Sequence, residues 1–181
     1  GRYITVKHIQ PLLDSYTTSF NIAVAGFSET GAEIPLVNFG KGKRKVLIWS
    51  QMHGNESTTT KSLFDFFKYI DTHKQQTSQL LSYYSFYVLP ILNPDGARLY
   101  TRENANNIDL NRDAKPLSQK ESIVLRSLFD SLAPDLCLHM HAQRSLFCLE
   151  VPKPATLSFL APAADPHNTI TPARAFAMGH L

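Results

Sequence analysis

The chain has 181 residues, 43% of them hydrophobic and 18% charged, a balance that supports a single buried core and excludes a disordered or fibrous protein. Lys and Arg number 18 against 15 Asp and Glu. The resulting charge of +3 is scattered, with no basic stripe to follow a phosphate backbone.

No run is long and apolar enough to span a bilayer. Residues 1–4 lack the apolar core and small-residue cleavage site of a secretory signal. Neither nucleic acid nor membrane is an expected partner. Cys137 and Cys148 are too few for a disulfide framework, so a thiol-reducing, cytoplasmic setting is expected. A secreted or periplasmic location would follow if a leader has been removed.

In chain order, residues 3–20 read as a short lead-in helix with Pro11 near its start. Residues 21–26 and 34–39 alternate or run apolar like strands, and the segment 28–31 between them reads as a turn. Lys41-Gly42-Lys43-Arg44 is a second turn, and Val46-Leu47-Ile48-Trp49 a short buried strand. Residues 57–73 form a helix with Leu63, Phe67 and Ile70 on one face. Residues 84–92 are another apolar strand, stopped by the turn Asn93-Pro94-Asp95-Gly96. Residues 119–132 form a second amphipathic helix, and 136–141 a third buried strand. A last short helix is expected over 172–178 in the Pro-rich tail. Strands alternating with helices imply crossover connections and an α/β fold with a largely parallel sheet. Such sheets place function at loops beyond the carboxyl ends of their strands, where the polar clusters of this sequence fall.

His53-Gly54-Asn55-Glu56 follows a strand and opens a helix. An imidazole and a carboxylate three residues apart across such a turn can converge, and zinc accepts both ligand types. A third ligand must come from elsewhere. His139 and His141 end the last strand two residues apart, hence on one face. Alone they would read as a hydrogen-bonded core pair; beside His53 and Glu56 they read as metal ligands. Between these motifs lie Arg102 and Asn106-Asn107-Ile108-Asp109-Leu110-Asn111-Arg112. An arginine fork pairs bidentately with a carboxylate. Two arginines and an asparagine beside a zinc site suggest an anionic substrate end and a donor for a developing oxyanion.

These pieces, in this order, resemble the zinc carboxypeptidases of the carboxypeptidase A type. The likeness runs from about residue 2 to His141 and less surely through Arg144. The resemblance implies zinc held by His53, Glu56 and His141, with His139 a second choice. It implies that Asp109 orients His53, that Arg102 polarises the scissile carbonyl, and that Asn111 and Arg112 bind the terminal carboxylate of a peptide. It implies an α/β fold with a mixed, mainly parallel sheet and helices on both faces.

Two departures stand out. The family's general base is a glutamate on a late strand, whereas the residues after His141 contain a single glutamate, Glu150, on no matching motif. Residues 1–181 therefore read as one carboxypeptidase-like domain truncated at its C-terminal end, with no peptidase activity of its own expected. The second departure is Ala142-Gln143-Arg144 after the third ligand.

The leading expectation is a zinc exopeptidase that removes C-terminal residues from peptides. A related zinc amidohydrolase acting on N-acyl amino acids is the alternative, and a metal-binding relative without catalysis is another.

Overall fold

In the computed structural model, which describes residues 3–142, one face of a five-stranded sheet carries two helices and the other face a third. The strands are β1 (Asn21–Phe27), β2 (Glu33–Gly40), β3 (Arg44–Trp49), β4 (Tyr84–Leu89) and β5 (Leu136–His139), ordered β1-β2-β4-β3-β5. β1 pairs antiparallel with β2, and β2 with β4. β3 lies between β4 and β5 and is parallel to both. The sheet is thus mixed, and its parallel trio is the part whose carboxyl ends bear the polar motifs.

The helices are α1 (Val6–Ser15), α2 (Ser57–Thr72), α3 (Lys74–Tyr83), α4 (Pro94–Leu99) and α5 (Lys120–Leu132). Alternation along β3 decides which helix meets which face, because successive side chains point to opposite sides. Val46 and Ile48 join Phe39, Phe86 and Val88 against Ile9 and Leu13 of α1 and Leu63, Phe67 and Ile70 of α2. Trp49, on the other face, packs with Leu89, Leu92 and Leu110 against Val124, Leu125 and Leu128 of α5. Phe67 is fully buried and meets Tyr16, Phe20, Phe39 and Phe64 ring to ring. Burial of a side chain of that size contributes about 1.5–3 kcal/mol.

The expected strands and long helices fall within a few residues of those observed. Two helices differ. α3 fills a stretch left without structure by the sequence pattern, and of its residues only Thr77 is buried. Asn93-Pro94-Asp95-Gly96, expected as a turn, instead starts α4. The Asn93 side chain accepts from Gly96 N, and Pro94 sits in the first turn, where its missing N–H costs nothing. Tyr100, at a left-handed φ of 57°, ends that helix. Glu150, Arg144, Cys148 and the helix expected over 172–178 lie outside the described residues.

Candidate metal centre

The chain leaves β3 at Trp49 without leaving β4. Ser50 N donates to Leu89 O (3.0 Å), Leu92 N to Ser50 O (3.1 Å) and Asn93 N to Gln51 O (3.2 Å). Gln51 then turns the backbone through a left-handed φ of 48°. A tight turn follows, in which Glu56 N donates to His53 O (3.0 Å). This brings the two side chains together before Ser57 begins α2. The turn lies directly on α4: a Cβ added to Gly54 would stand 1.9 Å from the carbonyl carbon of Gly96. This close approach explains Gly54, and a separate one explains Gly96, where a Cβ would stand 2.5 Å from both Asn93 Nδ2 and Glu103 O.

The Glu56 carboxylate is the hub. Its Oε1 lies 2.9 Å from His53 Nδ1 and its Oε2 2.9 Å from His141 Nδ1. Ala142 N also donates to Oε2, at 3.0 Å. Potential ligand atoms of His53, Glu56 and His141 all lie within 4.8 Å of one another. On the far side of the His53 ring, Nε2 is 3.1 Å from Asp109 Oδ1. That carboxylate selects the tautomer with its proton on Nε2, leaving a lone pair on Nδ1 that faces a carboxylate oxygen. Two lone-pair donors aimed at each other call for a cation between them, so this donor set fits zinc, which takes imidazole and carboxylate ligands. Burial opposes the charge on Glu56, but the close imidazoles of His141 and His53 and the N–H of Ala142 outweigh it. The carboxyl is held far below its usual range.

Arg102 closes one side. Its Nε and Nη2 donate to Asp109 Oδ2 at 3.1 and 3.0 Å, and its Nη1 lies 3.1 Å from His53 Nδ1 and 3.8 Å from Glu56 Oε1. Asp109 thus holds the His53 imidazole with one oxygen and a guanidinium with the other. Burial works against its charge too, but Asn111 N, His53 and Arg102 bring its pKa below the ordinary value. Asn111 is half-buried and Arg112 exposed on the turn after Asp109, where Asn111 N donates to Asp109 Oδ1 at 2.9 Å.

The loop bearing these residues is anchored by buried polar groups that the sequence pattern did not single out. Asn93 Nδ2 donates to Met52 O and Glu103 O, joining the residue before His53 to the residue after Arg102. Asn104 Nδ2 donates to Gln119 Oε1 (2.9 Å) and Glu121 Oε2 (3.2 Å), while its own Oδ1 accepts from Asn106 N and Ile108 N. Glu121 is fully buried, and that burial raises its pKa despite the hydrogen bonds it accepts. Periodicity alone does not reveal this burial, because the cover comes from the distant Glu29, whose N–H donates to Glu121 Oε1 at 3.2 Å.

His139 and His141 are neighbours, with ring centroids 3.9 Å apart. Only His141 reaches Glu56. His139 stacks on Trp49 at 4.9 Å, and its Nε2 is buried with no hydrogen-bond partner among the described residues. Burial first, then the charges of His141 and His53, push its pKa down to about 4. Cys137, two residues before His139 on β5, is a half-buried free thiol whose pKa is raised by burial.

The chain belongs to the zinc carboxypeptidase family, whose sequence profile matches residues 5–143. Among characterised relatives it is similar to Carboxypeptidase 2 of Trichophyton rubrum, 30% identical over 128 residues that make up 65% of this chain and 24% of that one. It is also similar to Carboxypeptidase 2 of Trichophyton tonsurans, 28% identical over 124 residues, 63% of this chain and 23% of that one. The chain spans about a quarter of the length of these curated relatives. Among solved structures, a metallo-carboxypeptidase from Burkholderia cenocepacia superposes with a TM-score of 0.72 at 18% identity, covering 78% of this chain and 42% of that one. Carboxypeptidase A from Helicoverpa armigera gives 0.63 at 20% identity, covering 78% and 46%. At such identities the structures speak for a shared fold.

Proposed function

We propose that the described residues carry the metal-binding and substrate-anchoring part of a zinc metallocarboxypeptidase acting on peptides with a free C-terminal carboxylate. The observation that carries this reading is the convergence of His53 and His141 on the two oxygens of Glu56, with Asp109 behind His53. Zinc bound by these three ligands supplies Lewis acidity, which makes a water more acidic and a carbonyl more electrophilic. Asp109 keeps the His53 lone pair directed inward by accepting the proton of the opposite ring nitrogen. Arg102, held in place by the other Asp109 oxygen, directs Nη1 into the site, where it stabilises negative charge developing on a substrate oxygen. Asn111 and Arg112 lie one turn away and take the substrate's terminal carboxylate, for which a planar guanidinium is suited.

No helix among the described residues is long and apolar enough to cross a membrane. Nothing in the site resembles a track for nucleic acid, and a peptide is the partner its charges favour. The test is metal analysis of the purified 181-residue chain and of its His53→Ala, Glu56→Gln and His141→Ala variants. Stoichiometric zinc in the parent, lost in each variant, is the expected result. Equal metal content in all four would exclude the site. Cleavage of a blocked dipeptide in preference to an N-acyl amino acid separates a peptidase from an amidohydrolase.

A further inference from the structure

We infer that Gln51 is a positioning residue for the metal centre: its side-chain amide holds the turn that carries His53 and Glu56. The inference rests on the reading of His53, Glu56 and His141 as zinc ligands.

Gln51 is fully buried and has a left-handed φ of 48°, a conformation that side chains with a Cβ adopt only under constraint. Strain of this kind persists where surrounding contacts over-determine it. Here the contacts are visible. Both amide hydrogens are used, one donated to Ile4 O at 2.8 Å and the other to Gly54 O at 2.7 Å. The amide oxygen accepts from Thr60 Oγ1 at 2.6 Å. Two carbonyls on one side and a hydroxyl on the other fix which end of the amide is nitrogen. The Gln51 carbonyl accepts from Asn93 N, so the residue is tied through its backbone as well.

These partners belong to three different pieces of chain. Ile4 precedes α1, Gly54 is the peptide immediately after ligand His53, and Thr60 lies one turn of α2 beyond ligand Glu56. The amide is therefore a strut between the two ends of the ligand-bearing turn and the segment that covers it. No other side chain of similar size satisfies the same set. Glutamate would set an oxygen against two carbonyl oxygens, leucine would leave both carbonyls buried without donors, and asparagine is one methylene short. Gln51 has no described contact with the side chains of His53 or Glu56, so it acts through their backbone.

The experiment uses the whole 181-residue chain, with zinc affinity measured by chelator competition and ligand geometry read from the visible spectrum of the cobalt(II) form. Gln51→Gly keeps a backbone at ease in the left-handed region and removes only the amide. It is expected to retain its far-ultraviolet circular dichroism, to bind zinc about 10–100-fold more weakly, as for other residues that support metal ligands, and to shift the cobalt bands. A purely structural role would lower the melting temperature while leaving the folded protein's zinc affinity and cobalt spectrum unchanged, and that result overturns the inference. Thr60→Val removes the hydroxyl that steadies the amide oxygen and carries the same test if Gln51→Gly does not fold. Weakened zinc binding is then expected, and unchanged affinity and spectrum again overturn the inference. If the unaltered chain takes up no zinc, the reading of the site fails first and the inference falls with it. Zinc bound tightly by the parent and by both variants overturns the inference alone.

Discussion

Gly54 and Gly96 meet backbone to backbone, and that contact joins the ligand-bearing turn to the start of α4. A Cβ on Gly54 would lie 1.9 Å from Gly96 C and 2.2 Å from Ala97 N, atoms that cannot swing aside like the end of a side chain. Gly54→Ala is expected to push the turn off α4, destabilise the protein by about 1–3 kcal/mol, as overpacked cores do, and weaken zinc binding. Urea denaturation and chelator competition read the two effects. An alanine variant with parental stability and affinity would show that the contact yields without cost.

Asp109 serves two masters, His53 Nε2 and Arg102. Asp109→Ala is expected to lower zinc affinity by about 10–100-fold while leaving all three ligands in place. The same change frees Arg102 from its anchor. Titration of zinc into the variant checks the first effect, and a variant as tight as the parent would remove Asp109 from the account.

His139, which ends β5, and His141, two residues on, make opposite predictions. His141→Ala removes a ligand and is expected to abolish stoichiometric zinc. His139→Ala removes a ring stacked on Trp49 and is expected to retain the metal with lower thermal stability. Elemental analysis of both proteins decides, and the reverse pattern would transfer the ligand role to His139.

Acid lability has a source away from the candidate metal centre. Burial opposes ionisation of Asp113, but Ser118 donates to it through both hydroxyl (2.6 Å) and N–H (3.0 Å), and Gln119 N adds a third bond at 2.9 Å. The net effect lowers its pKa from an ordinary 3.8. Between the two pKa values the unfolded chain binds the proton and the folded one does not, so stability rises with pH there. The contribution is complete above the unfolded value and is lost as pH falls through the folded one. Asp113→Asn is expected to lower stability at neutral pH and to flatten the decline below about pH 4. Denaturant titrations between pH 6 and pH 3 measure both, and parallel curves for the two proteins would contradict this.

Much of this architecture was legible in sequence because it follows from periodicity. β3 reads as a strand from four consecutive apolar residues, and α2 as a helix from Leu63, Phe67 and Ile70, which are indeed its buried stripe. α3 escaped notice because it buries almost nothing and so carries no apolar period. α4 reads as a turn in sequence because Asn, Pro, Asp and Gly serve both purposes, and only the capping bond from Gly96 N to Asn93 distinguishes them here. The site residues His53, Glu56, Arg102, Asp109 and His141 stood out as clustered polar residues beyond strand ends, and the fold brings them together. Gln51 and Glu121 did not, because a buried amide and a buried acid have no pattern of their own. Each is defined by partners distant in the chain, Ile4 for one and Glu29 for the other.

Glu56 and His141 touch across 85 positions of sequence. Two of the three proposed ligands come from one short turn, while the third arrives only after α5 has returned the chain to β5 beside β3. A cation gripping all three would close that long span into a ring, as a cross-link does. For a covalent bridge over such a distance the lost freedom of the unfolded chain is worth about 4–5 kcal/mol. On that reckoning a metal bound there would also be a clasp. Stripping it with a chelator would slacken the chain between α2 and β5, and resistance to heat and to proteolysis would decline together with the bound ion.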